Sequence, residues 1–257
     1  MSELFSLKGK AVVITGGSGY LGSAVVRELL AHGAKVAVAD LVPLDITGAG
    51  EDLISIKCDM ACTDSIRDMY AEVKRVFGQI DVLINCATYG AGYGPAGTVD
   101  KMSDADWEKG IDGTAGVAFR CTREIIPYFE EAGGGNIVHY SSMYGMISPD
   151  PSIYGTSGQN NPCNYGSGKA AVLQFARYCA GHLAGKNIRV NCVTPGAYPN
   201  PEKMPPEDFI RNLENKIMMK RVGKPEEIVG ATIFLASDAS RYMTGANIVV
   251  DGGWSAW

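Results

Sequence analysis

Short apolar runs alternate with longer amphipathic stretches along the whole chain. The run Ala11–Ile14 is apolar at every position, which is typical of a strand buried on both faces. Behind it, Leu21, Val25 and Leu29 recur at helical spacing, and a second apolar run follows at 35–39. This β-turn-α-β unit then repeats, so the pattern predicts a mainly parallel sheet with right-handed crossovers.

The later elements continue the alternation. Further strands are predicted at 53–57, 80–84, 136–141, 188–193 and 246–250. Thr63 or Asp64 is predicted to cap a helix that runs to about 77, and Ser103 is predicted to cap a long helix that runs to about 128. Further helices are predicted from about 165 to 183 and near 206–218 and 225–236. The segment 41–52 holds Pro43, Gly48 and Gly50, so we predict a loop or a single helical turn there.

No linker or composition break interrupts this pattern. We therefore predict one α/β domain over residues 1–257, a doubly wound (Rossmann) mainly parallel sheet with helices on both faces. Such sheets bind ligands at the carboxyl ends of their strands. The loops at 88–102, 143–164 and 197–215 are expected to line the substrate pocket.

Composition narrows the function classes. The net charge of −5 disfavours nucleic acid and anionic membranes as partners. No apolar run is long enough for a membrane span, and the N-terminus lacks a signal-peptide pattern. The seven cysteines are scattered, which favours reduced thiols, and the three histidines are isolated, so no metal site is expected. We expect a cytoplasmic protein that acts on a small molecule.

The turn after the first strand carries Gly16, Gly19 and Gly22. Glycines at these places allow a tight turn, a close approach to a pyrophosphate, and close packing of helix on strand. Asp40 ends the next strand, where its carboxylate can accept from the adenosine ribose hydroxyls and repel a 2′-phosphate. This favours NAD over NADP, and Asp59 can accept from the adenine amine.

The chain resembles the short-chain dehydrogenase/reductase family, in its shorter single-domain form, over nearly its whole length. The resemblance rests on Thr15, Gly16 and Gly22; Asp40 and Asp59; Asn85, Cys86 and Ala87; Ser141 and Ser142; Tyr165 to Lys169; Arg189 to Gly196; Arg221 to Glu227; and Val250 to Gly253. It implies hydride transfer between NAD(P) and an alcohol or carbonyl, and a homo-oligomer, a tetramer or a dimer. It also implies cofactor contacts at Ser18, Tyr20, Leu21, Met60, Asn85, Ala87, Pro195, Gly196 and Tyr198.

Tyr165 and Lys169 are spaced to lie on one face of a helix. A neighbouring ammonium favours the phenolate form of a tyrosine, whose ordinary pKa is about 10. The resemblance makes Tyr165 the general acid or base, lets Lys169 donate to the nicotinamide ribose, and places Ser142 on the substrate oxygen. Tyr154 is a rival tyrosine but has Gly158 four residues on, which favours Tyr165.

Three departures from the family pattern stand out. Tyr20 occupies a position that is usually glycine, so the spacing of the glycines is similar to that of epimerase-type members. Thr114 stands where relatives usually have an Asn that kinks the helix and holds a relay water, and a hydroxyl can also hold a water. An insertion at 148–162 leads directly into the helix of Tyr165, so we expect it to form part of the pocket wall.

The predicted pocket loops are polar and aromatic. Candidate substrate contacts are Tyr93, Tyr144, Tyr154 and Asn160. This lining favours a sugar, sugar acid or polyol, as in gluconate or sugar dehydrogenases of the family, and hence carbohydrate metabolism. A 3-oxoacyl thioester reductase and a non-catalytic NAD-binding sensor or structural protein are the alternatives. The tail Trp254–Trp257 packs on its own domain or, as our hypothesis, forms an oligomer contact or a pocket lid.

Overall fold

The computed structural model describes residues 3–92 and 94–257, and in these residues seven parallel strands form one sheet. The strands are β1 (Ala11–Thr15), β2 (Lys35–Asp40), β3 (Leu53–Lys57), β4 (Val82–Asn85), β5 (Gly135–Tyr140), β6 (Ile188–Pro195) and β7 (Asn247–Val250). Their order across the sheet is β3-β2-β1-β4-β5-β6-β7, and every neighbouring pair is parallel. The predicted doubly wound α/β fold is confirmed.

Helices cover both faces of the sheet. They are α1 (Tyr20–Ala31), α2 (Thr63–Phe77), α3 (Asp104–Ile111), α4 (Val117–Glu131), α5 (Cys163–Leu183), α6 (Glu207–Lys216) and α7 (Glu226–Ala236). One buried apolar cluster packs α2, α4 and α5 on one face, and a second packs α1 and α7 on the other. The strands between these layers are apolar because both of their faces are buried.

The predicted connections and helix starts agree with the structure in two places and differ from it in two others. The segment 41–52 contains only a short turn of 3-10 helix at Gly50–Asp52, as predicted. Ser103 caps α3 as expected, because its hydroxyl accepts from the Asp106 main-chain amide. Helix α2, however, begins at Thr63 after Cys62, and no side chain caps it. The single long helix predicted from Ser103 is wrong, since a π-helical turn at Asp112–Gly116 separates α3 from α4.

Close packing explains the wide turn between α3 and α4. A Cβ atom at Gly110 would overlap the side chain of Asn164 on α5, and one at Gly113 would overlap the Tyr89 carbonyl. The turn fits between these neighbours only because glycines stand at both positions. It brings the hydroxyl of Thr114 against Gly168 on α5. Wide turns of this kind inside helices are frequent at functional sites.

A third apolar cluster lies beyond the carboxyl edge of the sheet. It joins Met143, Ile153, Leu213, Ile217 and Trp254, which come from the insertion region, α6 and the C-terminal tail. Polar contacts join the same segments. Lys216 Nζ lies 2.5 Å from Asp150 Oδ2, and Asn212 Nδ2 donates to the carbonyl of Ile153 at 3.1 Å. We call this unit the substrate wall.

The described part of the chain holds no helix that is long and apolar enough to cross a bilayer. All seven cysteines lie in that part, and each is a free thiol.

Candidate active site

The glycine turn forms a cradle at the start of α1. Gly16 has a φ of +69°, and its carbonyl accepts from the Gly19 main-chain amide at 3.1 Å. A Cβ atom at Gly22 would overlap the Gly16 carbonyl, which explains that glycine as a packing requirement. Gly19 precedes α1 without a side-chain cap, so the free main-chain amides of the first turn suit an anion. Tyr20 and Leu21 stand in that first turn.

Two cavities lie side by side along the carboxyl ends of the strands. The catalytic cavity, of about 400 Å³, is lined by Ser142, Tyr165 and Lys169 together with Tyr20, Leu21, Pro195, Gly196 and Tyr198. The second cavity, which we call the Asp40 cavity, has about 530 Å³ and includes Asp59, Met60 and Ala87. Both are lined by Gly16, Gly19, Cys86 and Thr88, so they form one continuous cleft.

Asp40 is held at the rim of its cavity by two main-chain amides. Its Oδ2 accepts from Ser18 at 3.2 Å, and its Oδ1 accepts from Val42 at 3.3 Å. Because a carboxylate can accept about four hydrogen bonds, both oxygens can still bind a hydroxyl pair. Ser18 donates its hydroxyl to the Val42 carbonyl at 2.6 Å, and this predicted cofactor contact lines neither cavity; its role is to hold the loop around Asp40. Lys109, which the sequence analysis did not single out, also lines this cavity.

Asn85 turns its side chain away from the cleft. Its Nδ2 lies 3.1 Å from Nδ1 of His139, and its Oδ1 accepts from the Thr15 hydroxyl at 3.4 Å. The Thr15 hydroxyl in turn accepts from the Ala87 main-chain amide at 3.3 Å. This buried chain of hydrogen bonds fixes the loop after β4 and leaves main-chain atoms for a cofactor.

Lys169 is a buried residue in the wall of the catalytic cavity. Its ammonium donates to the Tyr140 carbonyl at 2.8 Å and lies 5.8 Å from the centre of the Tyr165 ring. Burial lowers the pKa of Lys169 to about 8. The helical spacing of Tyr165 and Lys169 on α5 therefore becomes a real contact between the ammonium and the ring.

The two neighbouring serines face different ways. Ser141 donates its hydroxyl to the Lys169 carbonyl at 2.9 Å and so ties β5 to α5. Ser142 accepts from the Tyr144 main-chain amide at 3.2 Å, and this bond leaves its hydroxyl hydrogen available to the cavity. Both serines touch the cavity, but this geometry favours Ser142 as the group for a substrate oxygen.

Thr114 is not brought to the surface of either cavity. It is 3% exposed, and its hydroxyl donates to the carbonyl of Gly110 at 2.8 Å. It packs against Gly168, the residue before Lys169. Thr114 is expected to hold a relay water, but its hydroxyl hydrogen is already bonded to a main-chain carbonyl one turn earlier.

Pro195, Gly196 and Tyr198 follow β6 at the cavity edge. The Tyr198 hydroxyl donates to the Val250 carbonyl at 3.1 Å, and burial raises the pKa of this phenol to about 12. A Cβ atom at Gly196 would lie 2.5 Å from the Asp251 Cα atom. The loop is therefore anchored on β7, with its main chain next to the cavity.

The substrate candidates separate in the structure. Tyr144 and Tyr154 line the catalytic cavity and are hydrogen-bonded to one another, and Tyr154 stacks on Phe209 at 5.4 Å between ring centres. Asn160 does not line it; its Nδ2 donates to the Gly94 carbonyl at 2.6 Å and ties two loops together. Tyr93 lies outside the described residues.

Several cavity residues were not named individually as site residues, although all but Cys86 lie in the loops predicted to line the pocket. They are Cys86, Thr88, Asn161, Phe209 and Leu213. Asn161 stands beside the candidate Asn160, so the insertion itself was a signal. Phe209 and Leu213 lie on α6, and their helical spacing showed an apolar face without showing what it would cover.

The tail packs against its own domain. Trp254 is 6% exposed and meets the Tyr144 ring edge-on at 6.5 Å. Trp257 is exposed, and its indole nitrogen donates to the Lys216 carbonyl at 2.6 Å. The tail thus packs on its own domain in the single chain, and the role of the tail as an oligomer contact stays a hypothesis.

Known proteins are similar to this chain in sequence and in fold. A family profile described as enoyl-(acyl carrier protein) reductase matches residues 18–255. The 3-oxoacyl-[acyl-carrier-protein] reductase FabG of Thermotoga maritima is 34% identical over 256 residues, covering 96% of this chain and 98% of that protein. The 2,5-dichloro-2,5-cyclohexadiene-1,4-diol dehydrogenase LinX of Sphingobium indicum is 31% identical, with 97% of each chain covered. A short-chain dehydrogenase from Leptospira borgpetersenii, solved with bound NAD⁺, superposes with a TM-score of 0.88 at 30% identity, covering 97% and 94% of the two chains.

The glycine cradle, the uncapped helix terminus and the carboxylate at the end of β2 fit a nicotinamide dinucleotide. Fold and cleft thus define a dinucleotide-dependent oxidoreductase of CH–OH and carbonyl groups. The chain belongs to the short-chain dehydrogenase/reductase family. The alternative of a non-catalytic sensor or structural protein finds no support in these relatives.

Proposed function

We propose that this protein interconverts a secondary alcohol and its carbonyl form, with Tyr165, Lys169 and Ser142 carrying the proton chemistry. The observation that supports this most is the single cleft: these three side chains line one end, and Asp40 lines the other. When bound, the nicotinamide supplies the hydride chemistry.

Each catalytic group has a separate task in the proposed reaction. Tyr165 takes the proton of the substrate hydroxyl in oxidation and returns it in reduction. Lys169, as an ammonium close to the ring, favours the phenolate form and can donate to ribose hydroxyls. Ser142 donates to the reacting oxygen and fixes its position. Thr114 is a positioning residue, which holds α5 at Gly168 next to Lys169.

The other end of the cleft is proposed to hold the rest of the cofactor. The first turn of α1 would hold the pyrophosphate through the main-chain amides of Tyr20 and Leu21, while Gly19 lines the cleft beside them. Asp40 accepts from both ribose hydroxyls, which favours NAD over NADP because a 2′-phosphate would be repelled. Asp59, Met60 and Ala87 line the same cavity as Asp40 and would hold the adenosine part of the cofactor.

The relatives change the expected substrate. FabG, by its name, acts on a 3-oxoacyl thioester of acyl carrier protein. The family profile that matches this chain also carries the name of an enzyme of acyl carrier protein, an enoyl reductase. They support the alternative of a 3-oxoacyl thioester better than a sugar, sugar acid or polyol, and carbohydrate metabolism is not supported. We propose the thioester as the first substrate class to assay and a ring diol, as in the name of LinX, as the second.

Tyr165→Phe tests the proposed chemistry. We expect turnover to fall at least about a hundredfold while the binding of NAD⁺, followed by fluorescence, stays within a fewfold of the parent. The control is Tyr178→Phe, an exposed tyrosine on the same helix, which should leave both unchanged. Turnover that survives in Tyr165→Phe would refute the assignment. A homo-oligomer and a cytoplasmic location stay predictions, for light scattering and cell fractionation respectively.

A further inference from the structure

Asn161 brings an unpaired hydrogen-bond acceptor to the wall of the catalytic cavity. It lies in the insertion, just before the start of α5 at Cys163, and is one of the cavity-lining residues. Its Oδ1 is buried, and no donor in residues 3–92 or 94–257 lies within hydrogen-bond distance of it. Buried polar atoms in folded proteins almost always have a partner, so an exception in a binding cavity points to a ligand.

Two neighbouring asparagines serve the fold instead. Asn160 donates to the Gly94 carbonyl at 2.6 Å, and Asn164 donates to the Asp106 carbonyl at 2.8 Å. Their Oδ1 atoms are also buried without a partner among the described residues, but neither residue lines the catalytic cavity. Of these three, Asn161 is the one that lines the cavity where a substrate must lie.

Two tyrosines of the same cavity wall are already engaged with each other. Tyr144 and Tyr154 are bonded to one another through their hydroxyls, and burial raises the pKa of Tyr144. Both rings are held in place, Tyr144 against Trp254 and Tyr154 against Phe209. Ser142 is reserved for the reacting oxygen in the proposed function. The carbonyl of Asn161 is therefore an acceptor available to a second group of the substrate.

We propose that Asn161 accepts a hydrogen bond from a donor on the substrate that is separate from the reacting oxygen, and that it thereby determines specificity. This rests on the proposed function. The shared chemistry is an O–H or N–H group. It would come from the second hydroxyl of a diol, or from the amide of a thioester that carries a pantetheine-like arm. Compounds with neither group leave the Asn161 oxygen unpaired when they exclude water from the cavity.

Matched substrate pairs test the proposal in the full-length protein. One pair is cyclohexane-1,2-diol and cyclohexanol; the other is acetoacetyl-N-acetylcysteamine, which carries an amide, and ethyl acetoacetate, which does not. Asn161→Leu should lower kcat/KM for the donor-bearing member of the preferred pair by about 10- to 100-fold and change its partner less than about threefold. The pair that responds identifies the donor as hydroxyl or amide. Asn161→Asp, which keeps an acceptor, should recover most of the loss.

Equal losses on both members of a pair would overturn the proposal. Thermal unfolding without ligand gives a second test, which holds even where none of the four probes is turned over. Leucine removes an unpaired buried oxygen, so Asn161→Leu should unfold at the same or a higher temperature than the parent. A clearly lower Tm would show that the amide serves the fold and would also overturn the proposal. A separate experiment tests the proposed function itself: turnover that survives in Tyr165→Phe would refute it.

Discussion

The ammonium of Lys169 donates a 2.8 Å hydrogen bond to the main-chain carbonyl oxygen of Tyr140. The last residue of β5 thus holds the charge that the proposed chemistry places beside Tyr165. This carbonyl compensates only part of the charge, since burial still lowers the pKa of Lys169 to about 8. A buried cation without a carboxylate partner weakens the fold, which is expected where a residue serves chemistry.

Lys169→Met should therefore stabilise the protein while it abolishes turnover. With a folded-state pKa of about 8 and an unfolded value near 10.5, the unfolded chain holds the extra proton between these values. The cost of burying the charge is largest below pH 8 and disappears above about 10.5. We expect the free energy of unfolding of the variant to exceed that of the parent by about 1 kcal/mol or more at pH 7, and this difference should shrink as the pH rises. Urea unfolding at several pH values measures this, and exposed Lys203→Met should show no such trend.

Gly22→Ala should damage the phosphate cradle. The added methyl group would overlap the Gly16 carbonyl, which is main chain and cannot move aside without shifting the turn. We expect a loss of about 2 kcal/mol in the free energy of unfolding and at least a tenfold weaker affinity for NAD⁺. Calorimetry and cofactor titration measure the two effects. Gly181→Ala, at an open position in α5, should be neutral or slightly stabilising, and a neutral Gly22→Ala would contradict the packing argument.

His139 should make the protein sensitive to acid. Burial lowers its pKa to about 3 from an ordinary value of 6.5, so only the unfolded chain takes up its proton between these values. Stability should fall as pH drops from 6.5 towards 3, by up to about 1.4 kcal/mol per pH unit from this group. His139→Gln should unfold with a shallower dependence on pH, whereas exposed His182→Gln should keep the parent slope. Parallel slopes for all three proteins would show that His139 does not contribute.

Trp254→Ala should loosen the substrate wall. The buried indole packs against Tyr144 and closes the cluster of Met143, Leu213 and Ile217. Its removal should cost about 3 kcal/mol and raise KM for the substrate several-fold, with little change in NAD⁺ affinity. Trp257→Ala, an exposed position, should cost less than about 1 kcal/mol. Light scattering on both variants tests the hypothesis of an oligomer contact, which unchanged assembly would remove.

Asp40→Ala should reduce the preference for NAD. Without the carboxylate the ribose hydroxyls lose their acceptor and a 2′-phosphate is no longer repelled. We expect kcat/KM with NAD⁺ to fall about tenfold or more and kcat/KM with NADP⁺ to rise. Asp59→Ala is the matched comparison, because it lines the same cavity and should weaken both cofactors alike. A parent enzyme that already prefers NADP⁺ would refute the assignment of Asp40.

The sequence alone predicts the framework of the molecule well, because local periodicity carries the information. Apolar runs identify all seven strands, with each end within two residues of the observed one; the largest differences are at the start of β4, which begins at Val82, and at the end of β6, which ends at Pro195. The glycine turn can be recognised from sequence because it stands between a predicted strand and a predicted helix. Tyr165 and Lys169 meet because four residues on a helix always bring two side chains to one face.

The tertiary structure decides what lies in the cavity. Ser141 and Ser142 are adjacent in sequence, but a hydrogen bond to α5 takes one of them and leaves the other available. Asn160 and Asn161 separate in the same way, since a bond to the Gly94 carbonyl takes the first. The substrate wall joins segments of the chain that lie far apart in sequence. Packing between distant segments orients side chains in loops, and no local pattern records it.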